Sequence, residues 1–344
     1  MKTDCLPAGR EGIGKAARIL ADGGLVAFPT ETVYGLGANA LLPGAVRRIF
    51  AVKGRPADNP LILHVLDKEA AQACGEWNSL ADMLADAFWP GPLTLIVRRK
   101  AGIPKEVSAG LETVALRAPS HTAARELLRA CGFPIAAPSA NRSGRPSPTT
   151  ARHVLDDLDG LVPLVLDGGA SDVGLESTVV DATGPSPLVL RPGAVTPEMI
   201  AMVAGECRVS DSVLREMKDD ERAPSPGMRH RHYAPRARMT LVKGDPDRVC
   251  ELILRLAGEN GKTWILAPED RVEYYRYLNV HSLGRDAKET AHRLFYLLRQ
   301  ADEEGIERIL SETLISDGLG LAVMNRLARA ASFDILDADE DPGK

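Results

Sequence analysis

Twice along the chain a short apolar run empties into a loop dense in proline, glycine and hydroxyl side chains, and this repeated design limits the fold more than any other feature. Leu25 to Phe28 opens into FPTETVYGLGANAL, and Ile135 to Ala137 opens into PSANRSGRPSPTTA. Runs this short suit buried strands rather than helices, so each loop reads as the exit of a strand. The first loop, with Pro29, Thr30, Glu31, Thr32, Tyr34, Gly35 and Gly37, has too many hydroxyls and glycines to read as a packed element, and almost nothing in it is a strong acid or base. Its donors are expected to face something small and polar. Strand exits are where α/β sheets hold ligands.

The rest of the pattern agrees. Gly12 to Asp22 reads as an amphipathic helix stopped by Gly23 and Gly24, Pro43 to Val52 and Ala81 to Phe88 as further helices, and Ser120 to Ala130 as a helix with a serine cap. Leu61 to Val65, Leu93 to Val97, Val114 to Leu116, Leu161 to Leu166, Ser177 to Val180 and Leu188 to Leu190 read as strands. Helices and strands mix without strict alternation, which points to an α/β fold on a twisted mixed sheet. Between Gly205 and Arg238 the composition turns charged and proline-bearing, the mark of a linker. Beyond it a regular β-α pattern from Met239 to Ala330 predicts a smaller, doubly wound, Rossmann-like domain, and DILDADEDPGK a frayed acidic tail. The expected division is 1–204, a linker at 205–238, and 239–344.

At 344 residues two domains fit a prior of about 150 residues each. A net charge of -5 argues against a chain devoted to coating nucleic acid. The cysteines, Cys5, Cys74, Cys131, Cys207 and Cys250, are scattered without a CxxC pair, so neither a disulfide framework nor a structural zinc site is indicated, and a reducing cytoplasm is expected. No apolar run approaches the roughly 18 residues of a membrane span, and MKTDCLPAGREG has no apolar signal core.

Several motifs are decoys. GREGIGK, Gly9 to Lys15, matches most of a phosphate loop, but Ala16 replaces the hydroxyl and no strand is expected before it. GLGLAV at Gly318 lacks the third glycine of a dinucleotide fingerprint, and His230 and His232 lie in the linker without further ligands at metal spacing. In AVKGRPADNPLILHV, by contrast, Lys53, Arg55 and Asn59 occupy a proline-bounded loop and read as a phosphate clamp, with an ordinary solvated loop as the alternative. His64 in LILHV reads as a core histidine. Thr113 and Arg117 flank a strand in ETVALRAPS, Ser139, Asn141 and Ser147 follow the second strand exit, and Ser177 and Arg191 lie in DVGLESTVVD and RPGAV. Without a cysteine nucleophile, an HExxH helix or a Ser-His-Asp set, the chemistry is expected to centre on phosphate and to rely on positioning and charge.

PTETVYGLG, the Lys53 and Arg55 pair, the Ser139 and Asn141 pair, ESTVVD, the linker SPGMRHRHYAP and GLGLAVMNRLARAA together resemble the two-domain threonylcarbamoyl-AMP synthases of the YrdC-like family over nearly the whole chain. The resemblance implies a YrdC-like catalytic domain joined by a lid-like linker to the Rossmann-like domain. The implied reaction makes threonylcarbamoyl-adenylate and pyrophosphate from L-threonine, bicarbonate and ATP with Mg2+, for transfer by a tRNA threonylcarbamoyltransferase to the adenosine beside the anticodon. It further implies that Thr32, His64, Arg117, Ala137 and Ser177 contact L-threonine, and that Arg55, Asn59, Thr113, Ser139, Asn141, Ser147, Arg191 and Tyr233 contact ATP. Lys53 and Arg55 would face the charge building on the α-phosphate, and no protein metal ligand is assigned. His64 thus moves from core residue to substrate contact on the family match alone. A monomer is the default, and a weak RNA contact stays open. Two other readings compete: a carbamoyl-adenylate-forming carbamoyltransferase, against which the missing CxxC pairs count, and a non-catalytic RNA-binding module using Arg98, Arg99, Lys100, Arg142, Arg145 and Arg152, which the few aromatics (4 %) weaken.

Overall fold

In a computed structural model, residues 2–213, 215, 233–258, 262–314 and 316–340 are described. They divide into two compact units. His230, His232 and most of the expected linker lie outside the described residues.

The first unit opens with β1 (Asp4–Pro7), α1 (Arg10–Ala21), β2 (Val26–Phe28), β3 (Gly35–Asn39), α2 (Pro43–Lys53) and β4 (Ile62–His64). Next come α3 (Lys68–Cys74), β5 (Gly75–Glu76), α4 (Ser79–Phe88), β6 (Leu93–Arg99), α5 (Lys105–Ser108), β7 (Thr113–Arg117) and α6 (Thr122–Cys131). It closes with β8 (Ile135–Ala137), α7 (Ala151–Leu158), β9 (Leu164–Asp167), β10 (Thr178–Asp181), β11 (Leu188–Arg191), α8 (Pro197–Ala204) and β12 (Arg208–Val209). Among the described residues these strands form one mixed sheet in the order β1-β9-β2-β3-β8-β4-β7-β6-β10-β11-β12, with β5 on β6. Alternation along β2 shows why both faces are covered: Val26 and Phe28 pack with Ile13, Leu20 and Leu127 from α1 and α6, while Ala27 faces the opposite cluster with Ile49 of α2 and Leu84 of α4.

Five expectations are corrected. Gly35–Asn39, expected to be unpacked, is a fully buried strand paired antiparallel with β2 and β8. Its glycines exist for close approach: a Cβ on Gly37 would lie 2.8 Å from Ile135 Cγ2 and 2.9 Å from Phe28 Cε1. A strand, β1, does precede the phosphate-loop decoy, but Lys15 there pairs with Asp4 at 2.5 Å on the surface. The cap of α6 is His121, which accepts from the Ala123 amide, rather than Ser120. Part of the expected linker is regular, since β12 runs parallel to β11. The acidic tail supplies a further strand, named below.

The second unit contains β13 (Arg238–Lys243), α9 (Pro246–Ala257), β14 (Thr263–Ala267), β15 (Val280–Ser282), α10 (Ala287–Glu303), β16 (Arg308–Glu312), α11 (Leu319–Ala330) and β17 (Ile335–Asp337). All its pairings are parallel, in the order β15-β14-β16-β13-β17, as the doubly wound pattern predicts. Its core joins Ile253 of α9 to Ile265, Leu310 and Tyr275.

The packing of β3 can be checked with two glycines. Gly37→Ala must displace Ile135 or Phe28 and should cost about 1–3 kcal/mol in chemical denaturation. Gly44→Ala, near the start of α2 with nothing within 4 Å of its new Cβ, should be neutral or stabilising by up to about 1 kcal/mol.

Candidate active site

Phe28 ends β2, and Pro29 turns the chain into a loop held by its own hydroxyls. Thr30 Oγ1 donates to the Val33 carbonyl at 2.6 Å, accepts from the Thr32 amide at 3.2 Å, and lies 2.9 Å from Thr32 Oγ1. The loop is then stitched to the second strand exit: the Leu36 amide donates to the Pro138 carbonyl and the Ala140 amide to the Tyr34 carbonyl, each at 2.8 Å. Two strand-exit loops therefore form one surface.

Beneath them sits a buried polar cluster. Register places His64 of β4 beside Arg117 of β7 on one side and Ile135 of β8 on the other. Arg117 Nη1 donates to Thr32 Oγ1 at 2.8 Å. Its Nη2 lies 2.7 Å from Glu31 Oε1, an ion pair between two buried side chains. Burial alone would raise the Glu31 carboxyl, but the Arg117 charge, helped by the backbone amides of Glu31 and Ser120, holds it below the usual carboxylate range. Burial first, then Arg117, push His64 down to about 3 against the opposing pull of Glu31, so its ring is neutral. Phe28 meets that ring edge-on at 5.8 Å.

A second group lies along β10 and β11. Ser177 Oγ is 2.8 Å from Thr94 Oγ1, and Arg191 grips the same residue through Nη2 to Oγ (3.1 Å) and Nε to the carbonyl (3.0 Å). Ser147 donates to Glu176.

In the clamp loop Lys53, Arg55 and Asn59 are buried, while Gly54, Ala57 and Asp58 between them are exposed. Lys53 Nζ donates to the carbonyls of Ser139, at 2.5 Å, and Asn141, while Ser139 Oγ bonds Asn141 Oδ1 at 2.5 Å. Arg55 folds onto its own loop, donating to the carbonyls of Asn59 (3.2 Å) and Pro60 (2.9 Å). Thr113 begins β7 beside Arg98, and Ala137 ends β8 against Gly35. Tyr233 belongs to the second unit, where it packs on Phe295 at 5.3 Å and under Arg326 at 5.5 Å.

Thus β4, β7 and the first loop gather Thr32, His64 and Arg117, β10 and β11 gather Ser177 and Arg191, and Lys53 joins Ser139 to Asn141. Sequence reading assigned no site role to Glu31, Thr94 or Glu176. A carboxylate amid hydroxyls and apolar residues was the one available signal for Glu31.

As for metal, among the described residues no group of three His, Cys, Asp or Glu is placed to hold an ion. Glu31 lies against Arg117, and Glu176 accepts from Ser147.

A family described as "Telomere recombination" matches residues 18–193, and "Threonylcarbamoyl-AMP synthase, C-terminal domain" matches residues 195–332. The threonylcarbamoyl-AMP synthase of Pyrococcus abyssi (strain GE5 / Orsay) is 46% identical over 326 residues, covering 93% of this chain and 94% of its own. That of Bacillus subtilis (strain 168) is 44% identical over 338 residues, covering 97% of each. The crystal structure of P. abyssi Sua5 complexed with L-threonine superposes with a TM-score of 0.90 at 43% identity, covering 97% of this chain and 99% of that one. These likenesses define an enzyme of nucleotidyltransferase type on a mixed α/β sheet. The chain belongs to the threonylcarbamoyl-AMP synthase family.

The electrostatics of the cluster give a pH test. Because His64 is depressed from an ordinary value of 6.5, its ring should show no inflection between pH 5 and 8 in an NMR titration. As pH falls from about 6.5 towards 3 the unfolded chain takes a proton that the folded chain refuses, so stability should decline over that window. An inflection near 6.5 from His64 would contradict the buried, neutral assignment.

Proposed function

We propose that this chain joins L-threonine, bicarbonate and ATP into threonylcarbamoyl-adenylate and pyrophosphate. The observation that carries the reading is the buried Arg117, Thr32 and His64 cluster under two strand-exit loops, in a chain matched over 97% of its length by a structure complexed with L-threonine. Arg117 offers guanidinium donors to a carboxylate. Thr32 and Ser177 offer the short hydroxyls by which a site built for a hydroxylated amino acid rejects an apolar one. Ala137 lends backbone at the end of β8.

On the nucleotide side we assign Arg55, Asn59, Thr113, Ser139, Asn141, Ser147 and Arg191. Arg55 faces the α-phosphate as the carbamate oxygen attacks it and pyrophosphate leaves. Lys53 acts through position: its ammonium holds the Ser139 and Asn141 carbonyls while adding fixed positive charge beneath the phosphates. Magnesium bound to ATP supplies further charge neutralisation.

The product is an activated carbamoyl donor, so we place this chain upstream of a threonylcarbamoyltransferase acting on tRNA, in the cytoplasm, as a monomer. Among the described residues no helix is long and apolar enough to cross a membrane.

Pyrophosphate release should require L-threonine and bicarbonate together and fall with L-serine. Arg55→Ala should slow it by about 100-fold or more, the range for losing one charge-stabilising group. Release that ignores the amino acid, or an unimpaired Arg55→Ala, would count against the assignment.

A further inference from the structure

The second unit holds a cavity of about 630 Å³ in which the adenylate chemistry has no part. Its place follows from the topology. The chain leaves β13 through α9 towards β14 and leaves β16 through α11 towards β17, while β13 and β16 themselves are neighbours. Right-handed crossovers running in opposite directions set α9 and α11 on opposite faces of the sheet, and this opens a crevice at the carboxyl ends of the two strands, where α/β sheets hold ligands. Val242 of β13 and Glu312 of β16 both line the cavity.

Charge decides what such a crevice can take. Its two arginines are already committed. Arg271 donates through Nε to Glu312 Oε2 at 3.2 Å and through Nη2 to the Pro246 carbonyl at 2.5 Å, and lies over the Tyr274 ring at 4.7 Å, while Arg285 pairs with Glu289. Neither is left for a phosphate. Against them stand four lining carboxylates, those of Asp270, Asp286, Glu312 and Asp317. Arg271 neutralises Glu312, which also accepts from Tyr275 Oη at 2.6 Å. Asp286 caps α10 by accepting from the Glu289 amide, a bond that leaves its charge in place. Among the described residues no cation pairs with Asp270 or Asp317. A concave site with this excess of negative charge concentrates cations.

A point ion does not fit the spacing. Among the described residues no three carboxylates converge to hold a metal. Asp286, Asp270 and Asp317 belong to the connections that follow β15, β14 and β16, three neighbouring strands, so their charge is spread over about 10 Å of the sheet edge. Pro246, Pro268 and Leu314 give the same cavity apolar surface. We infer that this crevice binds a linear polyamine, whose ammonium groups meet the spaced carboxylates while the methylene runs between them lie on the apolar surface.

The test takes spermidine as the probe, with butylamine and magnesium as comparisons, on the full chain without nucleotide. Calorimetry at physiological ionic strength should show one saturable spermidine site, bound at least about tenfold tighter than either comparison, the scale of one added hydrogen-bonded charge. Changing Asp270→Asn and Asp317→Asn together should weaken spermidine by about tenfold or more. Ala287→Phe, which fills the cavity from the start of α10 without altering its charge, should abolish binding. No spermidine binding, equal binding to the double variant, or displacement by magnesium at equal charge overturns the inference, the last two by showing attraction of net charge alone. Spermidine that binds a folded Ala287→Phe chain unchanged sits elsewhere and overturns it equally. Should Ala287→Phe fail to fold, the two aspartates decide the matter, since both are exposed.

Discussion

Lys53 leaves the last turn of α2 and spends its ammonium on the carbonyls of Ser139 and Asn141. A buried lysine is costly unless its donors and charge are met. Here the acceptors come from a loop far along the chain, so the requirement that Lys53 be satisfied closes the second strand exit onto α2. The Ser143 amide donates a further hydrogen bond to the Lys53 carbonyl at 2.9 Å. The Pro138 carbonyl and the Ala140 amide then bind the first strand exit, which gives the Arg117 cluster its roof. Remove the ammonium, and both loops lose their common anchor.

The cluster beneath depends on the same economy of partners. β4 and β7 bring His64 beside Arg117 by register alone, with no loop to adjust. Arg117 in turn sets the charge of its neighbours: it holds Glu31 ionised and adds to the burial that keeps His64 neutral. One guanidinium thus prepares an anionic acceptor and a neutral ring side by side, a pairing suited to a small polar ligand and not to an apolar core.

How far the sequence foretold this follows physical lines. Runs such as Ile135 to Ala137 and Leu93 to Val97 announced their strands because apolar side chains carry the signal. Gly35–Asn39 was missed because a strand packed by glycine has almost no side chains to alternate; its evidence is the space that Phe28 and Ile135 need. Ile335–Asp337 was hidden by acidic neighbours, yet its backbone pairs with β13. The candidate residues came mainly from resemblance. Position alone could not show that Lys53 turns inward, that Arg191 reaches Ser177, or that Glu31 meets Arg117, since each depends on strands brought together by the sheet.

The most direct measurement is a crystal structure of this chain with L-threonine. The amino acid is expected beside Arg117, Thr32 and His64, its carboxylate on the Arg117 guanidinium. Threonine bound elsewhere, with nothing beneath the two strand-exit loops, would contradict the account.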